Sequence, residues 1–129
     1  RPLSLVFMRI EHRNGGAVPV EVTDGDPVAR VLQTVRKTLR GADIMFAHGS
    51  GEFVILLAQT DRDAAAGIAQ RLGETIAAAL HEKEQSMHVR IGFATYPADG
   101  LSLNELVERA TQQLTAAMIG RTLQPPVIH

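Results

Sequence analysis

The chain has 129 residues, a single domain's worth, with 45% apolar and 21% charged residues and a formal net charge of −1. That balance speaks against DNA, RNA or an anionic membrane surface as partner, and the absence of cysteine excludes disulfides, zinc-thiolate sites and thiol catalysis while fitting a reducing, cytoplasmic setting. No apolar run approaches the ~20 residues of a membrane span, no signal peptide is visible, and a start at Arg1 is expected to mean a piece of a longer protein, such as the cytoplasmic part of a membrane-anchored one.

The apolar segment from Leu3 to Glu11 predicts a buried strand. Arg13-Asn14-Gly15-Gly16 is a turn signal, and Val18 to Val22 reads as extended chain around Pro19. A helix is predicted next, capped by Asp26 with Pro27 at its first position. Its apolar stripe is Val28, Val31, Leu32, Val35 and Leu39, and Gly41 is expected to end it. Ile44 to Ala47 and Phe53 to Leu57 predict two strands of a hairpin joined through Gly49-Ser50-Gly51. A second helix is expected from Thr60, with Asp63 as capping-box partner and Ala65, Ile68, Ala69, Leu72, Ile76 and Leu80 facing inward. Glu82, Lys83 and Glu84 read as a solvated loop. Val89, Ile91 and Phe93 alternate with His88, Arg90 and Gly92, which predicts a strand with one buried side. A third helix is expected from Ser102, boxed by Glu105, with Leu103, Leu106, Val107, Ala110 and Leu114 inward. The domain is expected over residues 1–122, followed by a C-terminal tail over 123–129. The order of elements predicts an α+β fold, a ferredoxin-like (nucleotide-cyclase-like) antiparallel sheet flanked by helices.

With these strings in this order, the chain resembles the bacterial GGDEF (diguanylate cyclase) family from about residue 3 to 122. Gly49-Ser50-Gly51-Glu52-Phe53 stands where the family has its signature. Ile91 to Pro97 resembles its late strand, Leu106 to Ala110 and Gly120-Arg121 its last helix and exit, and Gly25-Asp26 its GD motif. The resemblance implies magnesium-assisted joining of two GTP molecules, with metal carboxylates at the end of the first strand and at the third signature position. Arg9 and Gly51 stand there instead. A cation about 4 Å from another repels it by roughly 4 kcal/mol even at an effective dielectric of 20. The guanine-reading Asn of the family falls near Ala17, and the phosphate-binding Lys of its last helix appears as Met118, with Arg121 retained. The expectation is therefore a degenerate domain with no catalytic residues, no magnesium and no cofactor, and so not an enzyme.

What survives is an R-x-x-D string, Arg40-Gly41-Ala42-Asp43, five residues before Gly49. The resemblance implies that this is the family's inhibitory site for cyclic di-GMP, with Arg71 on the following helix as a second arginine. The chemistry suits the ligand. A guanidinium can grip the O6/N7 edge of guanine bidentately, and a carboxylate can accept from its N1-H and amino group. The simpler alternative is a helix-terminal arginine paired with a nearby aspartate. Two functions follow as expectations. One is a signalling receptor for cyclic di-GMP, of the kind that controls biofilm traits, acting on neighbouring domains, a partner protein or a second copy. The other is an interaction module that binds no nucleotide and offers the edge at Val18 to Val22. The five histidines at 12, 48, 81, 88 and 129 lack ligand spacing and read as surface or turn residues, and Ser50 has no inferable His-Asp partners.

Overall fold

β1 (Leu3–His12) is central to the sheet because both its faces are apolar. Val6, Met8 and Ile10 point one way and Leu5 and Phe7 the other, and none of the five is more than 1% exposed. The computed structural model describes residues 2–12, 27–49, 51–83, 87–118 and 121–122. β1 pairs antiparallel with β3 (Glu52–Ala58) on one side and β4 (Met87–Tyr96) on the other. β2 (Ile44–Gly49) joins β3 through the hairpin, and β5 (Thr115–Met118) and β6 (Arg121–Thr122) extend the far edge. The strand order is β2-β3-β1-β4-β5-β6. α1 (Pro27–Lys37) and α2 (Arg62–Lys83) cover one face through Leu32, Val35, Ala69, Leu72 and Ile76. α3 (Leu103–Gln112) covers the other, with Leu106 and Ala110 on Leu5, Phe7, Val54 and Ala94. The α+β antiparallel sheet flanked by helices expected from the sequence is the fold observed.

Several local expectations are corrected. α1 ends at Lys37, not at Gly41. The Thr38 amide and hydroxyl both donate to Val35 O (2.9 and 2.7 Å), and Leu39 N donates to Arg36 O, which tightens and closes the last turn. α2 is capped by Asp61 rather than Thr60. Asp61 Oδ1 accepts from Ala64 N at 2.9 Å, while Thr60 is buried, its hydroxyl on Ala58 O. Glu82 and Lys83, expected in a loop, belong to α2. β4 is covered on both faces in its second half, because α3 seals Ala94 on the side opposite Ile91. Gly92 makes that contact possible: a Cβ there would sit 2.1 Å from Ala110 O. Ser102 does cap α3, accepting from Glu105 N at 3.2 Å, but the Glu105 carboxylate takes Leu101 N instead of the cap residue's amide. Leu103, expected inward, is 47% exposed. Met118, expected in the last helix, lies in β5. Asp26, the turn at residues 13–16, the segment Val18 to Val22, Ser50, Glu84 and the tail lie outside the described residues.

Candidate functional site

Two polar clusters sit at opposite ends of β3, about 20 Å apart along a seven-residue strand. The first lies under α2, where β3 ends. Arg40, just before β2, is clasped to Asp43 by several bonds. Asp43 Oδ2 accepts from Arg40 N at 3.0 Å and Arg40 Nε at 3.1 Å, and Oδ1 accepts from Arg40 Nη2 and Ala58 N, both at 3.2 Å. Arg40 Nη2 donates further to Ala58 O at 2.8 Å and Thr60 Oγ1 at 2.9 Å. The Asp43 side chain is only 3% exposed, so the expected surface pair is a buried carboxylate under an exposed guanidinium. Burial works to raise the Asp43 carboxyl. The bond from the Arg40 guanidinium, two backbone amides and the charge of Arg40 outweigh it, holding the carboxyl below its ordinary range.

Arg71 faces the same place. A cavity of about 410 Å³ is lined by Arg40, Asp43 and Arg71, with Leu39, Leu57, Ile68 and Leu72 supplying apolar wall. Ile68, Arg71, Leu72 and Thr75 follow one another at helical spacing on a single face of α2, which is why one helix contributes both wall and charge. Among the described residues Arg71 makes no ion pair or hydrogen bond. The three residues singled out in the sequence therefore converge, as a guanidinium clasped by a carboxylate and a second guanidinium left open.

The second cluster lies at the hairpin, on the α3 face but beyond the reach of α3. Gly51 holds φ 68°, a conformation that suits glycine, and its carbonyl accepts from Ile10 N at 2.8 Å. Register sets Arg9 opposite Glu52 on one side and Arg90 on the other, with Glu11 opposite His88. Arg9 holds Glu52 through Nε at 3.0 Å and Nη2 at 2.9 Å, lies 3.8 Å from Glu11, and sits over the Phe7 ring. Glu11, with only 10% of its side chain exposed, accepts from Arg90 Nε at 2.9 Å and pairs with His88 at 3.0 Å. His48 completes the cluster on Glu52 at 3.1 Å. Burial favours a higher Glu52 pKa, but the bonds from His48 and Arg9 and their charges prevail and lower it. Among the described residues no three His, Asp or Glu side chains converge as a metal set.

The fold, the hairpin string and the cavity fit one family, and residues 24–120 match the family model described as diguanylate cyclase, GGDEF domain. The chain is a GGDEF domain. It is 32% identical over 124 residues to the diguanylate cyclase DgcP of Pseudomonas aeruginosa, covering 82% of this chain but only 18% of that protein's length. A sensory box/GGDEF family protein of Caulobacter crescentus superposes with a TM-score of 0.65 at 22% identity, over 88% of this chain and 76% of that one. The coiled coil and GGDEF domain of DgcB from Caulobacter crescentus, solved in complex with c-di-GMP, superposes at 0.58 and 18% identity, over 86% and 61% of the two chains. The last two likenesses establish the shared fold.

In this GGDEF domain the signature residues Gly49, Gly51, Glu52 and Phe53 form the hairpin as expected, with Phe53 buried in the core. The side chain of Arg121 is not among those described. Sequence reasoning missed Thr60 and Ala58 as the anchors of Arg40, and it missed His48 and His88 as partners of Glu52 and Glu11. The Glu11–His88 contact depends on strand register across 77 residues, for which the chain carries no local signal, whereas His48 and Glu52 are four residues apart on the hairpin. Thr60 had a competing role, because a Thr before a helix also reads as a cap.

Proposed function

We propose that this GGDEF domain is a catalytically inactive regulatory module that binds cyclic di-GMP in the cavity lined by Arg40, Asp43 and Arg71. Binding there would be passed to neighbouring domains or to a partner protein in the bacterial cytoplasm. The observation that carries the proposal is the convergence of two guanidinium groups on one cavity, one of them without a partner among the described residues. An open guanidinium beside apolar wall suits a flat, electron-rich base and a phosphodiester. A cavity of about 410 Å³ is within the usual range for small-molecule sites. A solved relative of the same fold carries c-di-GMP.

Inactivity is supported by the hairpin cluster. A divalent ion needs carboxylate oxygens free to coordinate it. Glu11 and Glu52 are instead engaged by Arg9, Arg90 and the two histidines, and Gly51 has no ligand to offer. The residues present do not fit magnesium.

Calorimetry with cyclic di-GMP tests the binding. Micromolar affinity, about −8 kcal/mol, is expected. Arg71→Ala should weaken it by about 1–3 kcal/mol, the worth of one good bidentate contact, without lowering the melting temperature. Folded protein that gives no heat at tens of micromolar ligand would end the proposal and favour a module that binds no nucleotide.

A further inference from the structure

Gln59, between the end of β3 and the start of α2, holds φ 49° and is the one non-glycine residue with positive φ among the described residues. That conformation crowds an L side chain against the backbone and persists only where neighbouring contacts impose it. The Gln59 side chain is exposed and makes no hydrogen bond among the described residues, so glutamine itself does nothing to favour the turn. The residues on either side impose it. Ala58 N donates to Asp43 Oδ1 at 3.2 Å, and Arg40 Nη2 donates to Ala58 O at 2.8 Å and Thr60 Oγ1 at 2.9 Å. Arg40 thus spans the strained residue from one side. From the other side, Thr60 N donates to Pro2 O at 3.2 Å and Thr60 O accepts from Ser4 Oγ at 2.7 Å. Ser4 has one hydroxyl proton, given to Thr60 O, so Thr95 Oγ1 at 2.9 Å donates to Ser4 and anchors it. Ser4, Thr60 and Thr95 are buried, whereas the Arg40 side chain is 57% exposed. The ties to β1 are fixed, and the tie to Arg40 is the releasable one.

We propose that the β3–α2 junction is a strained hinge latched by Arg40, and that an anionic ligand which draws Arg40 off the junction releases it. With Arg40 withdrawn, Ala58 O and Thr60 Oγ1 lose their shared donor, Gln59 returns to negative φ, and the first turn of α2 shifts with Thr60. That turn carries Arg62, whose Nη1 holds Asp99 in the loop after β4, and Asp99 Oδ2 also accepts from Thr95 N at 2.9 Å. The change at the cavity is thereby handed to the end of β4. Release by the ligand rests on the cyclic di-GMP proposal above, while the latch itself does not. Strain at Gln59 is present only in the latched state, so it favours release and acts on affinity from a residue outside the cavity lining.

Thermal melting of the whole chain tests the latch. Glycine takes positive φ without strain but also gives the unfolded chain more freedom. Gln59→Gly should raise the melting temperature of the wild-type chain by about 2 °C. In an Arg40→Ala background the junction has already relaxed, only the unfolded-chain cost remains, and the same change should lower the melting temperature by about 2 °C. Equal shifts in the two backgrounds would overturn the proposal, because the junction would then keep its shape without Arg40. Arg40→Gln, which lacks the guanidinium fork, replaces Arg40→Ala if the latter does not melt cooperatively. Calorimetry with cyclic di-GMP supplies the second readout. Gln59→Gly stabilises the latched state and should weaken binding by about three- to fivefold. Unchanged affinity would overturn release by the ligand. Folded wild type that binds no cyclic di-GMP removes the binding proposal, and the melting comparison still decides the latch.

Discussion

At the residue scale, the two polar clusters show how much depends on what else a side chain touches. Asp43 and Arg40 fit a ligand motif, yet nearly all their donors and acceptors are consumed within the chain. That makes Asp43 a measurable stability element. Its carboxyl is lowered in the folded state, so its stabilisation is complete above the unfolded pKa of about 3.9 and is lost as pH falls through the lower folded value. Arg40 is 57% exposed, and its share is screened by solvent. Two backbone amides would lose their acceptor, so Asp43→Ala is expected to cost about 1–2 kcal/mol at neutral pH. The difference from wild type should shrink in melts taken from pH 6 down to pH 3. A difference that stays constant across that range would mean the charge of Asp43 contributes nothing. Arg9 repeats the lesson on the other face. Two arginines directly opposite each other would repel, and Glu11 between them removes the conflict.

At the element scale, the helices are placed by one stripe each and the sheet by its register. α3 is the sensitive case. It lies on β4 where Gly92 offers no side chain, and an added Cβ would meet the backbone oxygen of Ala110, an atom that cannot turn aside. Gly92→Ala should therefore destabilise by about 3 kcal/mol through forced separation of α3 from the sheet, read by denaturant unfolding. A loss below about 0.5 kcal/mol would show that α3 shifts freely. α2 has the opposite character. Its inner stripe packs on the sheet while Ile68, Arg71, Leu72 and Thr75 turn one flank to the cavity, so a single helix serves core and site.

At the scale of the whole molecule, the sheet separates two clusters of different fate. The hairpin cluster is self-neutralised, two arginines against two carboxylates with a histidine on each acid. The cavity at the other end of β3 is lined by Arg71, a cation with no ion pair among the described residues. Incubation with GTP and magnesium is expected to give no cyclic di-GMP by chromatography, even at high protein concentration. Product formation at any rate above background would restore this domain to the cyclases, the activity named for its 32% identical relative.

Much of this was legible in the chain itself. Apolar periodicity located α1, α2 and α3 and the strands β1 to β4, because amphipathic spacing is a local property. The R-x-x-D string and Arg71 were legible as candidates through the family resemblance, since the string lies in one short loop before β2 and Arg71 on one helix. Tertiary structure alone decided that Arg71 shares a cavity with Arg40, that Asp43 is buried, and that Glu11 meets His88 and Arg90. The physical reason is that hydrogen-bond partners are consumed by whichever groups the strand register brings within 3 Å or so, and register couples residues far apart in sequence. Which donors remain for a ligand is therefore a property of the folded sheet.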